Sequence, residues 1–469
     1  MLVTTGSVQT SLDRIAARVV LIAGLWFLAV YVTAVGQGFL SDDFRWIAQS
    51  ILETPSDLPR LFSDNLGFYR PVVAVSFGLD YALFGLRPLP FGVTNVLLLV
   101  LTAGAIVRLA LSLRMRASAA AIAAALWTLN PHGINMALLW ISGRTSILLT
   151  LFAVLAATAF VRRKLWACGV WALLAMLSKE EAVLLPLVFL GWGLVERRVD
   201  AAAGRSWLRS ASRSAPAFLA LFVYLPLRFH SGAITPASAP PYYQFLTDVR
   251  LIGRNALEYL DRTTTFPLAL AVIASAITRR LPAFDADQRR IALFGAIWLI
   301  GGCAITVLIP SRSSLYAVLP SVGPALVGAS WLTGLARPGD RDRTRAVTIA
   351  LVVLAAVCVP VYRARNHRWL EPARTSSIVL SELRRVGQVL PEGATLRITD
   401  RSGRRAVEGA CGSLLVEALR LTSGRRDLHV WLEPPLNGWE LAGWRRPAGE
   451  ANVVDYEFDG TRLTVRRPR

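Results

Sequence analysis

Two aspartates stand side by side in Gly38-Phe39-Leu40-Ser41-Asp42-Asp43-Phe44-Arg45-Trp46, directly after the first long apolar run. Adjacent carboxylates at a membrane surface suit a general base with its orienting partner, or a metal site. They also suit an acidic helix cap, with Ser41 or Asp42 at the N-cap and acid in the first turn favoured by the helix dipole. Phe68-Tyr69-Arg70-Pro71 follows. Arg70 offers a guanidinium that matches phosphate oxygens bidentately, while Pro71 can simply open a helix. Asn130-Pro131-His132 and Ser142-Gly143-Arg144-Thr145 come next. His132 reads first as an interfacial residue, whereas Arg144 at the outer end of a span calls for a specific partner. Ser178-Lys179-Glu180-Glu181-Ala182 places three charges between two apolar halves. Such charge is costly unless paired or functional, so it is either a Lys179–Glu180 or Lys179–Glu181 pair leaning into water, or a cationic anchor for a lipid-linked phosphate. With Arg312, these groups form an acid pair among cations, which suits transfer from a phosphate-linked donor. A carboxylate activates the nucleophile and cations stabilise the departing phosphate.

The elements that must position these groups are membrane spans. The 469 residues are 54% hydrophobic and only 17% charged, with a mean hydropathy of +0.47, against about 25% charged in an ordinary soluble domain. From Val19 to Pro360, long apolar runs alternate with short arginine-rich links, and Arg363 to Arg469 reads as soluble protein. Backbone polar groups in lipid must be satisfied within the segment, so the runs predict helices. They fall near 18–36, 91–112, 118–136, 144–161, 165–178, 182–195, 215–229, 264–278, 291–309, 315–334 and 346–363. This is a polytopic α-helical membrane protein of about eleven spans, with residues 1–363 as the membrane domain and 364–469 as a small α/β or α+β soluble domain. Val19–Val35 lacks a following small-residue cleavage site and reads as a retained first span.

The net charge of +20 would suggest nucleic acid in a soluble protein. Here the arginines lie in links between spans, which makes them topogenic and argues against a nucleic-acid partner. Every second link is basic: Arg14 and Arg18; Arg108, Arg114 and Arg116; Arg162, Arg163 and Lys164; Arg197, Arg198, Arg205, Arg209 and Arg213; Arg279, Arg280, Arg289 and Arg290; Arg337, Arg341, Arg343 and Arg345. Arg250, Arg254 and Arg262 break the bias on the other side. The positive-inside rule then puts the N-terminus in the cytoplasm of a bacterial inner membrane and the C-terminal domain outside. Cys168, Cys303, Cys358 and Cys411 give no disulfide framework.

Two outer loops are long. Residues 37–90 carry Asp42, Asp43, Glu53, Asp57, Asp64 and Asp80, with a short apolar stripe at Phe44, Ile47, Ile51 and Leu52. Residues 230–263 place Phe245, Val249, Ile252, Ala256 and Tyr259 on one helical stripe, suited to the membrane interface. In the C-terminal domain, Leu396/Ile398, Leu428/Val430/Leu432 and Val454/Tyr456/Phe458 alternate as strands. Asp459-Gly460 is a two-residue hairpin signal leading to Leu463 and Val465. Helices are predicted over Val379–Val389 and near Gly412–Leu421.

The motif order is Asp42-Asp43, Tyr69-Arg70-Pro71, Phe91-x-x-x-Asn95, Asn130-Pro131, Trp140-Ile141-Ser142-Gly143-Arg144 and Leu177-Ser178-Lys179-Glu180. It resembles the GT-C superfamily of membrane glycosyltransferases, most closely the transmembrane O-mannosyltransferases with tetratricopeptide repeats and their bacterial relatives. The resemblance covers residues 20–195 well and later spans loosely. It implies a GT-C-like fold and a sugar donor on a polyprenyl phosphate. It also implies a lipid, glycan or protein acceptor outside the cytoplasm, and inversion at the anomeric carbon. Carried onto this chain, Asp42 or Asp43 is the base, and Arg70, Arg144, Lys179 and Arg312 are candidates for the donor phosphate. Asn95, Glu180 and His132 support them. The resemblance implies neither a metal nor a cofactor for the chemistry.

The chain also departs from the pattern. Gly92 stands where relatives often have His, and Asn135 where they often have Glu. The Arg312-x-x-x-Tyr316…Pro320 stretch is spaced differently, and the 34-residue repeat period is missing. The competing reading is a non-catalytic GT-C-like scaffold or transporter. Few ionisable residues fall mid-span, which counts against transport. A membrane acyl- or phosphotransferase is a third class, but His132 lacks a partner for acyl transfer.

Overall fold

The computed structural model describes residues 21–466 except 22–23, 53, 64–66, 200–210, 236–237, 282–284, 336–340, 404 and 434–451. The start of the first expected span lies outside the described residues, as do Arg14, Arg18, Arg205, Arg209, Arg337, Glu53 and Asp64. The chain forms two compact units. One comprises residues 1–33, 95–137 and 143–364; the other comprises 34–94, 138–142 and 365–469.

Among the described residues, three helices are long and apolar enough to cross a bilayer: Pro88–Ser112, Ile141–Val161 with its 3₁₀ start, and Val249–Thr278. Shorter apolar helices are Pro71–Phe84, Ala117–Thr128, Leu165–Met176, Ala215–His230 and Val322–Leu335. Leu185–Val199 and Ala286–Cys303 complete the helices matching expected spans, and Arg341–Gly387 contains the last. Pro71–Phe84 lies within the stretch read as an outer loop.

Within the first unit, Arg144–Val161 packs on Leu165–Met176, which in turn packs on Ala215–His230. Val322–Leu335 packs on Ala286–Cys303, Ala117–Thr128 and Val249–Thr278. Small residues permit the close approach. A Cβ on Gly323 would meet the Gly295 carbonyl oxygen at 2.3 Å, a spacing typical of membrane helices that associate through backbone contact rather than hydrophobic burial. Trp127 and Trp298 donate their indole N–H groups to the carbonyls of Val318 and Leu319 at 2.9 and 2.8 Å. These bonds fix the non-helical stretch before Val322, where the sequence predicted an unbroken span.

Two expected spans differ more. The span 118–136 stops at Thr128, turns through Asn130-Pro131, and resumes as Gly133–Leu139, because proline disfavours helical backbone in the residue before it. The amphipathic stripe from Val249 to Tyr259 and the span at 264–278 are parts of one 30-residue helix, Val249–Thr278, with Phe245 before its start. Its buried face runs through Asn255, Tyr259 and Thr263; Tyr259 of the stripe lies on that face, whereas Val249 of the stripe is exposed. Asn255 donates to the carbonyls of Val307 and Ile309 at 3.2 and 3.0 Å, and this polar anchoring selects the face.

In the second unit, four strands form one sheet: β1 (Thr395–Asp400), β2 (His429–Glu433), β3 (Val453–Phe458) and β4 (Leu463–Val465), in the order β2-β1-β3-β4. β1 pairs in parallel with β2 and β3, and β4 is antiparallel to β3. The alternation read from the sequence places Leu396, Ile398, Val430, Leu432, Tyr456 and Phe458 in the core. The hairpin connection is longer than Asp459-Gly460 suggests, because Phe458 pairs with Leu463. Asp459 closes it by accepting from the Thr461 and Arg462 N–H groups at 2.7 and 2.8 Å. Ala406–Cys411 and Leu415–Ser423 lie between β1 and β2, and the helix expected over Val379–Val389 is the end of Arg341–Gly387.

Candidate active site

Asp42 and Asp43 open the helix Asp42–Ser50. Phe44, Trp46 and Ile47 on this helix are buried, and it packs on Pro71–Phe84 and Leu415–Ser423. Ser41 does not cap it: its side chain makes no cap bond, and its backbone holds a left-handed φ of 42°. That strained turn is pinned by the Ser41 N–H donating to the Ala410 carbonyl at 3.0 Å. The preceding residues are fixed too. A Cβ on Gly38 would sit 2.1 Å from the Ala373 carbonyl oxygen, and Ser377 donates to the Gln37 carbonyl at 3.0 Å.

The two carboxylates are not equivalent. Asp43 is wholly buried. Its Oδ2 accepts the Leu40 N–H at 2.7 Å. Its Oδ1 accepts the Ser142 N–H at 2.6 Å and the Ser142 hydroxyl as well. Burial pushes the Asp43 carboxyl up to about 7 against the opposing pull of the donors from Ser142 and Leu40, and the Asp42 charge raises it further. Asp42 is half-buried and, among the described residues, carries no hydrogen bond. Burial raises its carboxyl also, while the charges of Arg45 and Arg70 pull it down. Arg70 precedes the helix Pro71–Phe84, with proline in its first turn. Its guanidinium lies over the Phe68 ring at 4.4 Å and the Trp46 ring at 5.6 Å. The proline starts the helix, and the Arg70 charge acts on the Asp42 carboxyl.

Sequence reasoning gave Ser142 and Trp140 no role beyond their place in the motif. Ser142 holds Asp43, and Trp140 donates its indole N–H to the Leu40 carbonyl at 3.1 Å while stacking on Trp369 at 5.9 Å. The Trp140-Ile141-Ser142 stretch therefore clamps the loop that carries the aspartates.

The remaining candidates belong to the other unit. Arg144 is completely buried and donates Nε–H to Asn95 Oδ1 at 2.8 Å. Asn95 in turn donates to the Ala137 carbonyl at 3.4 Å. A Cβ on Gly143 would lie 2.5 Å from Ala137 Cα, so this packing requires glycine. Lys179 is 3% exposed. Its ammonium donates to Ser146 Oγ at 2.9 Å, pairs with Glu181 at 2.8 Å and lies 4.6 Å from the centre of the Tyr316 ring. The Lys179–Glu181 pair is thus real but enclosed instead of leaning into water. Glu180 pairs with Arg228 at 3.4 Å. Arg312 bonds Glu258 at 2.9 Å, and Glu258 also bonds Arg262. The His132 N–H bonds Asn130 Oδ1 at 2.9 Å, closing the turn after Thr128. Among the described residues, no three His, Cys, Asp or Glu side chains gather into a metal-binding group.

The departure at Gly92 has a steric cause. A Cβ there would meet Val35 Cγ1 at 2.6 Å and the Gly36 nitrogen at 2.8 Å, so the histidine of related sequences has no room.

No protein-family profile and no curated protein matches the chain. Solved structures do match. One is the crystal structure of ArnT from Cupriavidus metallidurans bound to undecaprenyl phosphate, with a TM-score of 0.53 and 14% sequence identity over 91% of this chain and 88% of that one. At that identity the likeness establishes the fold: a multi-pass helical membrane protein, as the motif order implied, with a small C-terminal mixed sheet, as the strand alternation predicted.

Proposed function

We propose that this protein is an inverting glycosyltransferase that moves a sugar from a polyprenyl-phosphate donor to an acceptor hydroxyl on the outer face of a bacterial inner membrane. The observation that carries the reading is the division of labour in the acid pair. Asp43 has donors on both oxygens and is held in place, whereas Asp42 keeps a half-buried carboxylate with no hydrogen bond, beside Arg45 and Arg70. A base needs a reachable lone pair and a fixed neighbour, and the pair supplies both. The likeness to a fold solved with undecaprenyl phosphate supports the class of donor.

In this reading Asp42 takes the proton of the acceptor hydroxyl as its oxygen bonds the anomeric carbon. The bond from that carbon to the donor phosphate oxygen breaks, and the polyprenyl phosphate leaves with the electron pair. Arg70 stabilises charge on the departing phosphate. Lys179, Arg144 and Arg312 are the further proposed phosphate contacts on the ground of the sequence, with Arg144 bonded to Asn95. The arginine distribution supports an outward-facing site. The O-mannosyltransferases with repeats remain the proposed nearest relatives, and residues 1–363 and 364–469 the proposed domains.

The test is Asp42→Asn, Asp43→Asn and the double variant in purified protein with a polyprenyl-phosphate sugar. Asp42→Asn should lower transfer at least about 100-fold at an unchanged melting temperature; full activity in all three variants overturns the mechanism. The pairing of Lys179 with Glu181 and of Arg312 with Glu258 favours the second reading, a non-catalytic scaffold. That reading predicts donor binding without turnover.

A further inference from the structure

The C-terminal domain contributes more to this region than support. Beside the acid-pair helix is a cavity of about 490 Å³, within the size range of small-molecule sites. One wall is a single face of the helix Leu415–Ser423 with the residue just after it: Glu417, Arg420, Leu421 and Gly424 recur at the helical spacing of i, i+3, i+4 and i+7. The facing wall includes Gln49 and Tyr81, and Arg60 and Arg426 complete the polar lining.

The chemistry of this lining is specific. Three guanidinium groups against one lining carboxylate leave a positive cavity, although Arg60 also faces Asp57 at 3.7 Å. Arg420 spends only its Nε–H, on the Leu428 carbonyl at a long 3.4 Å; among the described residues its terminal nitrogens carry no hydrogen bond. Glu417 Oε2 is buried and, among the described residues, has no hydrogen-bond partner, an arrangement that is costly unless a ligand supplies a donor. Arginine forks match carboxylate or phosphate oxygens, a carboxylate accepts from hydroxyls, and a tyrosine ring covers an apolar sugar face. Gln49 is seven residues after Asp42 on the same helix, so the two share a face about 10 Å apart.

We infer that this cavity binds an acidic sugar unit, a glycan bearing a carboxylate or a phosphate, and presents it to the Asp42 site as part of the acceptor. The anion lies on Arg420 with Arg60 and Arg426, and a hydroxyl donates to Glu417. Only the word acceptor rests on the transferase reading; binding itself does not.

The experiment therefore omits the donor. Full-length protein in detergent is titrated calorimetrically, at constant ionic strength, with trigalacturonate, maltotriose 1-phosphate and neutral maltotriose. The wild type should bind at least one acidic sugar saturably and at least about tenfold more tightly than maltotriose, and Arg420→Gln should remove most of that preference. Arg420→Lys, which keeps the charge, should retain part of it. Preference for trigalacturonate or for the phosphate names the anion. Equal binding of acidic and neutral sugars, no saturable binding, or an Arg420→Gln variant of unchanged melting temperature and unchanged preference overturns the proposal. None of these results bears on whether Asp42 is the base, which the donor assay decides separately.

Discussion

At the scale of residues, the acid pair and Lys179 each join a structural commitment to a proposed chemical one. Asp43 is the clearer case. Its carboxyl is raised by burial to about 7, so the folded state holds its proton over a range in which the unfolded chain, with an ordinary carboxyl near 3.8, has lost it. Stability from this group is complete below the unfolded value and is lost as pH rises through about 7. The melting temperature of the wild type should therefore fall between pH 4 and 8 relative to that of Asp43→Asn, in which this contribution is missing. Parallel thermal scans of the two proteins read this difference directly. Transfer should rise with pH as the raised Asp42 carboxyl ionises. Lys179 gives a second prediction. Lys179→Met leaves Glu181 as an uncompensated buried charge and should destabilise by about 3–5 kcal/mol. Lys179→Met with Glu181→Met removes both charges and should recover most of that loss in urea unfolding. A recovered double variant that still transfers sugar would confine Lys179 to a structural role.

At the scale of elements, the helix ends in the arginine-rich links share a device. Arg114, Arg163 and Arg279 all hold left-handed φ values, of 65°, 59° and 50°. Each is followed by a bond back across six residues: Met115 N–H to the Ala110 carbonyl at 3.0 Å, Lys164 to Ala159 at 2.8 Å, and Arg280 to Ser275 at 3.1 Å. This is the geometry in which glycine usually ends a helix. Here arginine takes the conformational strain and brings a cation to the negative end of the helix dipole. Arg163→Gly should therefore raise stability by about 0.5–1 kcal/mol, measured in detergent, while weakening the charge bias that orients the neighbouring spans. The acid-pair helix is a different kind of element. At nine residues it is too short to hold its own shape in water, and packing on Pro71–Phe84 and Leu415–Ser423, with the clamp from 138–142, maintains it.

At the scale of the whole molecule, the distribution of charge makes one prediction. A cysteine placed at Arg114 or Arg163 should be reached by membrane-impermeant maleimide only after the inner membrane is opened, and one at Arg426 without opening it. The reverse pattern would invert the orientation and move the proposed site to the cytoplasmic face. Each unit has its own organising force. In the first, small residues and buried indole N–H bonds hold helices whose outer surfaces are apolar; in the second, a mixed sheet of alternating side chains turns one apolar face into a core.

The sequence alone determined most of the apolar helices, the arginine-rich links between them and the strand pattern of the C-terminal domain, because burial in lipid or in a sheet imposes a period that composition cannot hide; the breaks at Asn130-Pro131 and before Val322 were not among them. It also determined the ordered motif that implied the fold. It did not determine that Asp43 is held and Asp42 open, since both are aspartates in one turn and the difference comes from Ser142, 99 residues away in sequence. Nor did it reveal the protein-facing side of Val249–Thr278, which Asn255 and its distant carbonyl partners select. The same limit held for Glu181 as the partner of Lys179 over Glu180, and for the lack of space at Gly92. Each was decided by which backbone or side-chain atoms the tertiary structure brings within a few ångströms.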